Sequence, residues 1–431
     1  MKKIIGAFLI ALSLVATGCL HEEEDIFGKS AAIRAKEFKE GTEAALAAAP
    51  NGWVMHYFPN PTTEGYTYLM KFGTGGNVTM AGKNKYLKNQ YKEEISLWEV
   101  ILDNGPVLTF NSYNTIFHIF ADPIDPDNNP DLEGKGLEGD YEFIVLEYSD
   151  SQIKLKGKKH GAYVLMSRLA DGQNWEDYFK SLDNMNTFLF GNTPNNFYLR
   201  VEDTYYTMYD GTTHIFNIVP EGGNRYADGD KVPFIVTPDG LRLYSAFSVG
   251  GTSVQDFKLA DKKLISNGFS VDGGNALDFY NQAVTPEEPS RSSANRWVVE
   301  PAKDMSPKVK AVYDRIVASC SAVGRTVQLS FYYYGKNQSD VLRITTKRST
   351  ATTEGYLNFE KTVSPESVAY SYKGTGDQPG LMFYKDFDGF KDFVELVNTD
   401  FTVSADEPLV LSSLKMQSKN DPDVWFYVSY K

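Results

Sequence analysis

The densest run of hard oxygen ligands in the chain is Asp122-Pro-Ile-Asp125-Pro-Asp127-Asn-Asn129-Pro-Asp131-Leu-Glu133. Calcium takes six to eight oxygens, and alternate acidic positions in a loop supply several of them. Asp125, Asp127, Asn129 and Asp131 are therefore the candidate metal ligands. The pattern departs from an EF-hand loop, which needs glycine at its sixth position and glutamate at its twelfth; Pro130 and Gly136 stand there. A solvated acidic turn is the competing expectation. Just beyond it, Gly134-Lys-Gly136-Leu-Glu-Gly139 spells a dinucleotide-binding pattern by letters. That chemistry requires a strand before the glycines and a helix after them. An acidic loop precedes these glycines and a strand-like segment, Tyr141–Glu147, follows, so no dinucleotide site is expected.

Histidines stand at 21, 56, 118, 160 and 214, and none forms a His-Glu-x-x-His array. The zincin arrangement of two histidines one helical turn apart is therefore missing from the sequence. No Gly-x-Ser-x-Gly elbow or Walker loop occurs either. Cys320 lies on the apolar face of a predicted helix, where a buried thiol has a raised pKa and is inert. A carboxylate pair for hydrolysis needs only proximity in space, and the 56 acidic residues leave that alternative open. No cofactor is expected. The aromatic runs offer a different chemistry. Tyr205-Tyr206 and Phe331-Tyr-Tyr-Tyr334 are strand-like, and alternation puts Tyr332 and Tyr334 on the face opposite Phe331. Tyr206, Tyr332 and Tyr334 are the candidate ligand-binding residues, on the expectation that one face of each strand is left open for stacking.

The elements that would hold these residues alternate between two periods. Ala31, Ala35, Phe38, Thr42, Ala45, Leu46 and Ala49 follow helical spacing, and Pro50-Asn51-Gly52 ends the run. A second helix begins near Asn174. A third is capped by Ser306, starts at Pro307 and carries a stripe from Val309 to Val323. Another amphipathic segment spans 386–398. Between them lie strand-like runs such as 53–58, 66–72, 107–110, 115–120, 141–147, 152–156 and 163–168, joined by short polar turns; a short helix is expected over 96–102. Further strands are expected at 196–202, 205–209, 214–219, 232–237, 241–246, 254–259, 326–334, 341–346 and 424–430. Tyr, Phe, Val and Thr favour strands, and aromatic residues make up 14% of the chain. The expected fold is α+β and mainly β: antiparallel meanders or partial barrels, each preceded by a helix, in three related modules. Helix-then-hairpin blocks recurring from about 30, 173 and 306 support duplication. The expected boundaries are 30–170, 171–281 and 297–431, with residues 282–296, which hold Pro286, Pro289 and serines, as a linker.

The start of the chain reads as an address. Lys2 and Lys3 precede an apolar stretch, Ile4 to Val15, and then Ala16-Thr17-Gly18-Cys19. This is a secretory signal over 1–18, too short to span a bilayer. Small residues before cysteine resemble the bacterial lipobox, with Ala16 where leucine is usual, so Cys19 is expected to be lipidated with acyl chains of the palmitate kind. The acidic cluster Glu22-Glu-Glu-Asp25 in the tether 19–29 resembles the signal that sends Bacteroidetes lipoproteins to the cell exterior. The expected location is the outer membrane, anchored by lipid and facing outward. The formal charge of −13 falls to −15 once Lys2 and Lys3 are removed with the signal, and an acidic surface repels phosphate backbones, so nucleic acid is not an expected partner. With two cysteines in all, one lipidated, Cys320 has no intrachain partner.

Several short motifs in order resemble one family. They are Ala49-Pro-Asn-Gly-Trp53, Tyr68-Leu-Met-Lys-Phe72, Asp103-Asn-Gly-Pro-Val-Leu-Thr-Phe110, Tyr113-Asn114-Thr115, Gly139-Asp-Tyr-Glu-Phe143 and Leu155-Lys-Gly-Lys158. Together they resemble the Bacteroidetes surface lipoproteins of domain-of-unknown-function family 4302. The resemblance covers mainly residues 20 to 170. It implies a surface lipoprotein encoded beside outer-membrane uptake pairs, and it brings no catalytic residue or substrate. Address and resemblance together lead to the expectation of an accessory protein, more binding than catalytic, that captures a glycan, peptide or partner protein near an uptake complex. A hydrolase with a carboxylate pair across modules and a structural subunit of an outer-membrane assembly are the alternatives.

Overall fold

Helix starts and stops follow local chemistry. In the computed structural model, which describes residues 29–127, 129–191, 196–210, 213–223 and 229–431, the Ser30 side chain accepts from Ile33 N and opens α1 (Ala31–Ala47). A hydroxyl at this position satisfies one of the four orphan N–H groups of a helix start. Gly52, at φ +85°, turns the chain into the first strand. The same logic sets α3 (Ala276–Val284, capped by Asn275), α4 (Pro307–Ser321, capped by Ser306) and α5 (Gln378–Asp386, capped by Asp377), while α2 (Trp175–Phe190) and α6 (Phe390–Val397, which starts after Gly389 without a side-chain cap) complete the helices described.

The strands form three antiparallel meanders among the described residues. The first comprises β1 (Trp53–Tyr57), β2 (Tyr66–Phe72), β3 (Asn77–Gly82), β4 (Lys92–Leu97), β5 (Glu99–Leu102), β6 (Pro106–Thr109), β7 (Glu142–Tyr148), β8 (Gln152–Gly157) and β9 (Tyr163–Arg168). The second comprises β10 (Asn196–Val201), β11 (Thr204–Asp210), β12 (Ile215–Pro220), β13 (Asp230–Thr237), β14 (Gly240–Val249), β15 (Thr252–Ala260), β16 (Lys263–Ser266) and β17 (Phe269–Asp272). The third comprises β18 (Trp297–Val299), β19 (Thr326–Tyr334), β20 (Ser339–Arg348), β21 (Ala351–Val363), β22 (Val368–Gly376), β23 (Asp400–Ser404), β24 (Ser413–Ser418) and β25 (Trp425–Tyr430).

In each meander the first strand pairs with the last: Trp53 opposite Arg168, Tyr198 opposite Asp272, Trp297 opposite Tyr430. The second and third sheets are thereby closed barrels. The first is a curled nine-stranded sheet whose two edge strands, β4 and β5, are consecutive in the chain and separated only by Trp98. Trp98 is buried, and its indole donates to the carbonyls of Gly73 and Asn77. A single bent strand, 92–102, thus pairs with β3 through one half and with β6 through the other. The expected mainly-β architecture of helix-led modules is what the fold displays.

Two of the modules share a fastening. Trp53 at the head of β1 donates its indole N–H to Leu46 O of α1, and Trp297 at the head of β18 donates to Tyr280 O of α3. Both rings are fully buried. By compactness the chain divides into two units, one of residues up to Pro61 with Tyr66–Trp175, the other of Thr62–Gly65 with Glu176–Lys431. Within the second unit, Leu409 and Val410 belong to the core of the second barrel, while Leu411 belongs to that of the third.

Several expectations need correction. Residues 96–102, expected as a helix, lie in β4 and β5, because burial alternates there: Ser96, Trp98 and Val100 in, Leu97 and Glu99 out. Residues 115–120, expected as a strand, are a turn and a 3-10 segment (His118–Phe120), burying Ile116, Phe117 and Phe120 at helical spacing. The expected linker 282–296 begins inside α3, whose Leu277, Tyr280 and Val284 are buried in the third core. Its remainder is fastened as well, Ser293 N donating to Tyr333 O and Gly335 N to Ser292 Oγ. The helix that leads the third barrel as α1 leads the first sheet is therefore α3; α4 is inserted between β18 and β19. The helix expected over 386–398 is broken at Phe387-Asp388-Gly389. Gly389 has φ +85°, and a Cβ there would lie 2.8 Å from Ile316 Cγ1 and 2.9 Å from Ile316 N of α4.

Candidate functional site

The residues expected to bind ligand do not form one site: Tyr332 and Tyr334 are neighbours, ring centroids 6.1 Å apart, on the third barrel, and Tyr206 belongs to the second. Tyr206, on β11, packs edge-on against Phe247 within the second barrel, ring centroids 5.2 Å apart, and joins that barrel's core. Tyr332 and Tyr334 do lie on the face of β19 opposite Phe331, as alternation requires. Tyr332 is nevertheless buried, at 8% exposure. Tyr334 stacks on Tyr356 at 4.5 Å, Arg343 sits 5.7 Å from the Tyr332 ring, and Glu354 pairs with Arg343 and accepts from the Tyr356 hydroxyl at 2.6 Å. Hydrogen bonds from Tyr356 and Arg343 hold the Glu354 carboxyl below its ordinary range, burial opposing them. This face is covered by its own neighbours rather than open, although the buried Arg343 Nε is left without a hydrogen-bond partner.

The acidic loop likewise spends its oxygens internally. Asp125 is buried; its carboxylate accepts from Asp127 N at 3.3 Å and from Asn129 N at 2.6 Å. The Asn129 side chain accepts from Asp131 N at 3.1 Å, and Asp127 lies 3.6 Å from Lys85 Nζ. These are turn-forming bonds of the Asx type. Among the described residues no group of three or more His, Cys, Asp or Glu side chains is placed to hold a metal ion. Cys320 is buried, and burial pushes its thiol pKa up. Cys19 lies outside the described residues.

An open aromatic surface occurs elsewhere, on the first sheet. His118 is buried beneath two exposed tyrosines, Tyr113 at 65% and Tyr141 at 42% exposure. Their ring centroids lie 5.4 and 5.2 Å from the imidazole, with interplanar angles of 33° and 36°. The imidazole is clamped on both nitrogens. Nδ1 accepts from Asn114 N at 3.1 Å, so Nε2 carries the proton and donates to Phe110 O at 3.0 Å. Burial lowers the His118 pKa, with the two backbone bonds opposing. The ring therefore stays neutral at neutral pH.

The mount beneath this trio is equally fixed. Asn114, fully buried, donates to Ser96 Oγ at 3.2 Å and accepts from Ile116 N at 3.1 Å. Thr115 N donates to both Glu94 oxygens at 3.0 and 3.1 Å, and its hydroxyl donates to the same carboxylate. On the other side, Asp140 accepts from Lys159 N and His160 N at 2.9 Å each. Gly139 allows the close approach: a Cβ there would fall 2.6 Å from Phe120 Cβ. The surface is thus a pair of exposed rings on a rigid backing, with the Glu94 carboxylate held on Thr115, two residues from Tyr113. Rigid aromatic rings give contact area at little entropic cost, and exposed ones mark interaction sites.

Tyr113, Asn114, Thr115, Gly139, Asp140 and Tyr141 stand in the motifs noted in the sequence, yet nothing in their spacing signals convergence. Their meeting is a product of the turn at 115–120, the segment expected as a strand.

A family model described as "Domain of unknown function (DUF4302)" matches residues 23–261, which include this surface. No curated protein matches the chain. Solved structures align over most of its length at low identity. The Caulobacter crescentus pol III beta structure is 11% identical, with 92% of this chain and 97% of that one covered and a TM-score of 0.14. The DNA polymerase III subunit beta from Pseudomonas aeruginosa is 10% identical, with 93% and 96% covered and a TM-score of 0.13. Kievitone hydratase from Nectria haematococca is 10% identical, with 90% and 91% covered and a TM-score of 0.13. Scores at this level carry no structural argument.

Proposed function

The chain belongs to the DUF4302 family, and from that membership we propose that it is a lipid-anchored binding protein of a Bacteroidetes-type outer membrane. In this reading it is acylated at Cys19, displayed outward, and captures a glycan, peptide or partner protein beside an uptake complex without catalysing a reaction. The charged start, short apolar core, small residues before Cys19 and acidic run behind it support the address. The observation that carries the binding role is the exposed pair Tyr113 and Tyr141, held in one orientation by a buried neutral histidine. Orientation by His118 and the Glu94–Thr115 bonds means a ligand that stacks there does not have to order the rings itself, which lowers the cost of binding.

The test is a screen of the full chain against glycan and peptide arrays, followed by Tyr113→Ala and Tyr141→Ala. Loss of a stacked ring costs about 1 kcal/mol or more, so each variant should weaken a hit roughly fivefold or more, while Tyr206→Ala leaves affinity unchanged after correction for folding. Silence on both arrays, or hits indifferent to both tyrosines, would remove ligand capture at this surface. The address is checked separately, by incorporation of labelled palmitate that a Cys19→Ser variant abolishes and by protease accessibility on intact cells.

A further inference from the structure

A separate cleft opens in the second unit, with a volume of about 610 Å3. Small-ligand sites run from about 300 to 1,000 Å3. One wall is α4, presenting Lys310, Asp314 and Val317; the other is the turn 301–305, presenting Lys303 and Asp304. That turn is fastened to the third barrel by the Met305–Phe426 bridge and by Glu300 N donating to Tyr427 O at 3.0 Å. The floor is mixed: Met305 and Tyr313 are almost fully covered at 6% and 5% exposure, Val327 of β19 is half-buried, and Ser321 and Thr326 add hydroxyls.

The charges on the rim are balanced. Lys310 Nζ lies 2.8 Å from Asp314, one helical turn on. Across the cleft Lys303 Nζ stands 5.3 Å from the Tyr427 ring, and Asp304 spends one carboxylate oxygen on Met305 N at 3.0 Å. Each wall thus carries one ammonium and one carboxylate. A simple anion or cation entering here meets as much repulsion as attraction. A molecule with opposite charges at its two ends is matched at both, and an apolar middle is matched by Val317 and Val327.

We propose that this cleft binds a short zwitterionic peptide with apolar side chains. Its carboxylate lies against a lysine of one wall, its ammonium against an aspartate of the other, and its side chains lie on Val317 and Val327. Exposed ion pairs contribute little each; they set the direction of the ligand, and contact with the exposed Val317 and the half-buried Val327 adds apolar burial.

The experiment is titration calorimetry of the full chain with the dipeptide Leu-Leu. Saturable binding with a Kd of a few millimolar, about 3 kcal/mol, is expected. N-acetyl-Leu-Leu and Leu-Leu-amide should each bind at least about threefold more weakly, the loss expected from one exposed ion pair. Asp304→Asn together with Lys303→Gln should reproduce that loss. Val317→Arg projects from an already exposed position (38%), so it fills the cleft without disturbing the core and should abolish binding. Tyr113→Ala should change nothing, which separates this site from the tyrosine surface. No approach to saturation by about 10 mM overturns the proposal, as does binding that survives Val317→Arg or is indifferent to capping both ends of the peptide.

Discussion

Replacing His118 by phenylalanine keeps an aromatic plate beneath Tyr113 and Tyr141 and removes both nitrogens. Phe110 O and Asn114 N–H, each in a fully buried residue, then lose their partners at 3.0 and 3.1 Å. A buried polar group left unsatisfied costs about 1–3 kcal/mol. The variant should therefore lose about 2–6 kcal/mol at neutral pH, a large share of the roughly 5–15 kcal/mol that holds a domain folded. A chain of two units need not unfold in one step, so the loss is best read from hydrogen exchange of amides in β1–β9. The pH dependence supplies the sharper check. Burial lowers the folded-state pKa of His118, so above the usual value of about 6.5 both states are neutral and the stabilisation is complete. As pH falls through about 6.5 the unfolded chain takes up its proton first, and stability drops until the folded pKa is passed. The phenylalanine variant has no such proton to bind, so the gap between wild type and variant should narrow between about pH 7 and pH 5. A variant as stable as wild type at pH 7, or a gap that widens on acidification, would refute the assignment of the two bonds.

Two further outcomes are expected. Gly389→Ala forces a Cβ onto the α4 backbone at a left-handed φ, so it should cost about 2 kcal/mol or more and lower the Tm of the second unit, measured by calorimetry. Cys320, buried with a thiol pKa pushed upward, should resist a thiol reagent in the native chain and react fully once denatured; fast labelling under native conditions would place it in contact with solvent.

Much of the architecture is legible because its signals are local. Ser30, Ser306-Pro307 and Gly324 bracket helices through backbone groups within a few residues, and the hairpins announce themselves by period-two alternation. The stretch 96–102 was harder, since Leu97, Val100 and Ile101 also suit a helix; only pairing with β3 and β6 decides between the two. Tyr332 and Tyr334 illustrate a different limit. Alternation gives the face a side chain takes, but not what covers it, and Tyr356 and Arg343 arrive from β21 and β20 to do so. The tyrosine surface is assembled from residues 94, 113–118 and 139–141, three segments whose meeting depends on the first sheet's register. Long-range closure of that kind leaves no spacing pattern in the sequence.

Pairing of first strand with last has a kinetic side. While the chain is being made, β1 has one neighbour in β2, and its other edge waits for β9, more than a hundred residues downstream; β18 waits in the same way for β25, which ends at Tyr430. Closing loops of this length is slow, and an unpaired strand edge invites pairing with another chain in the interval. The tryptophans at the heads of β1 and β18 act within that interval. Each ties its strand to a helix already synthesised, through Leu46 O and Tyr280 O, so the waiting strand is anchored by a local contact long before its distant partner exists.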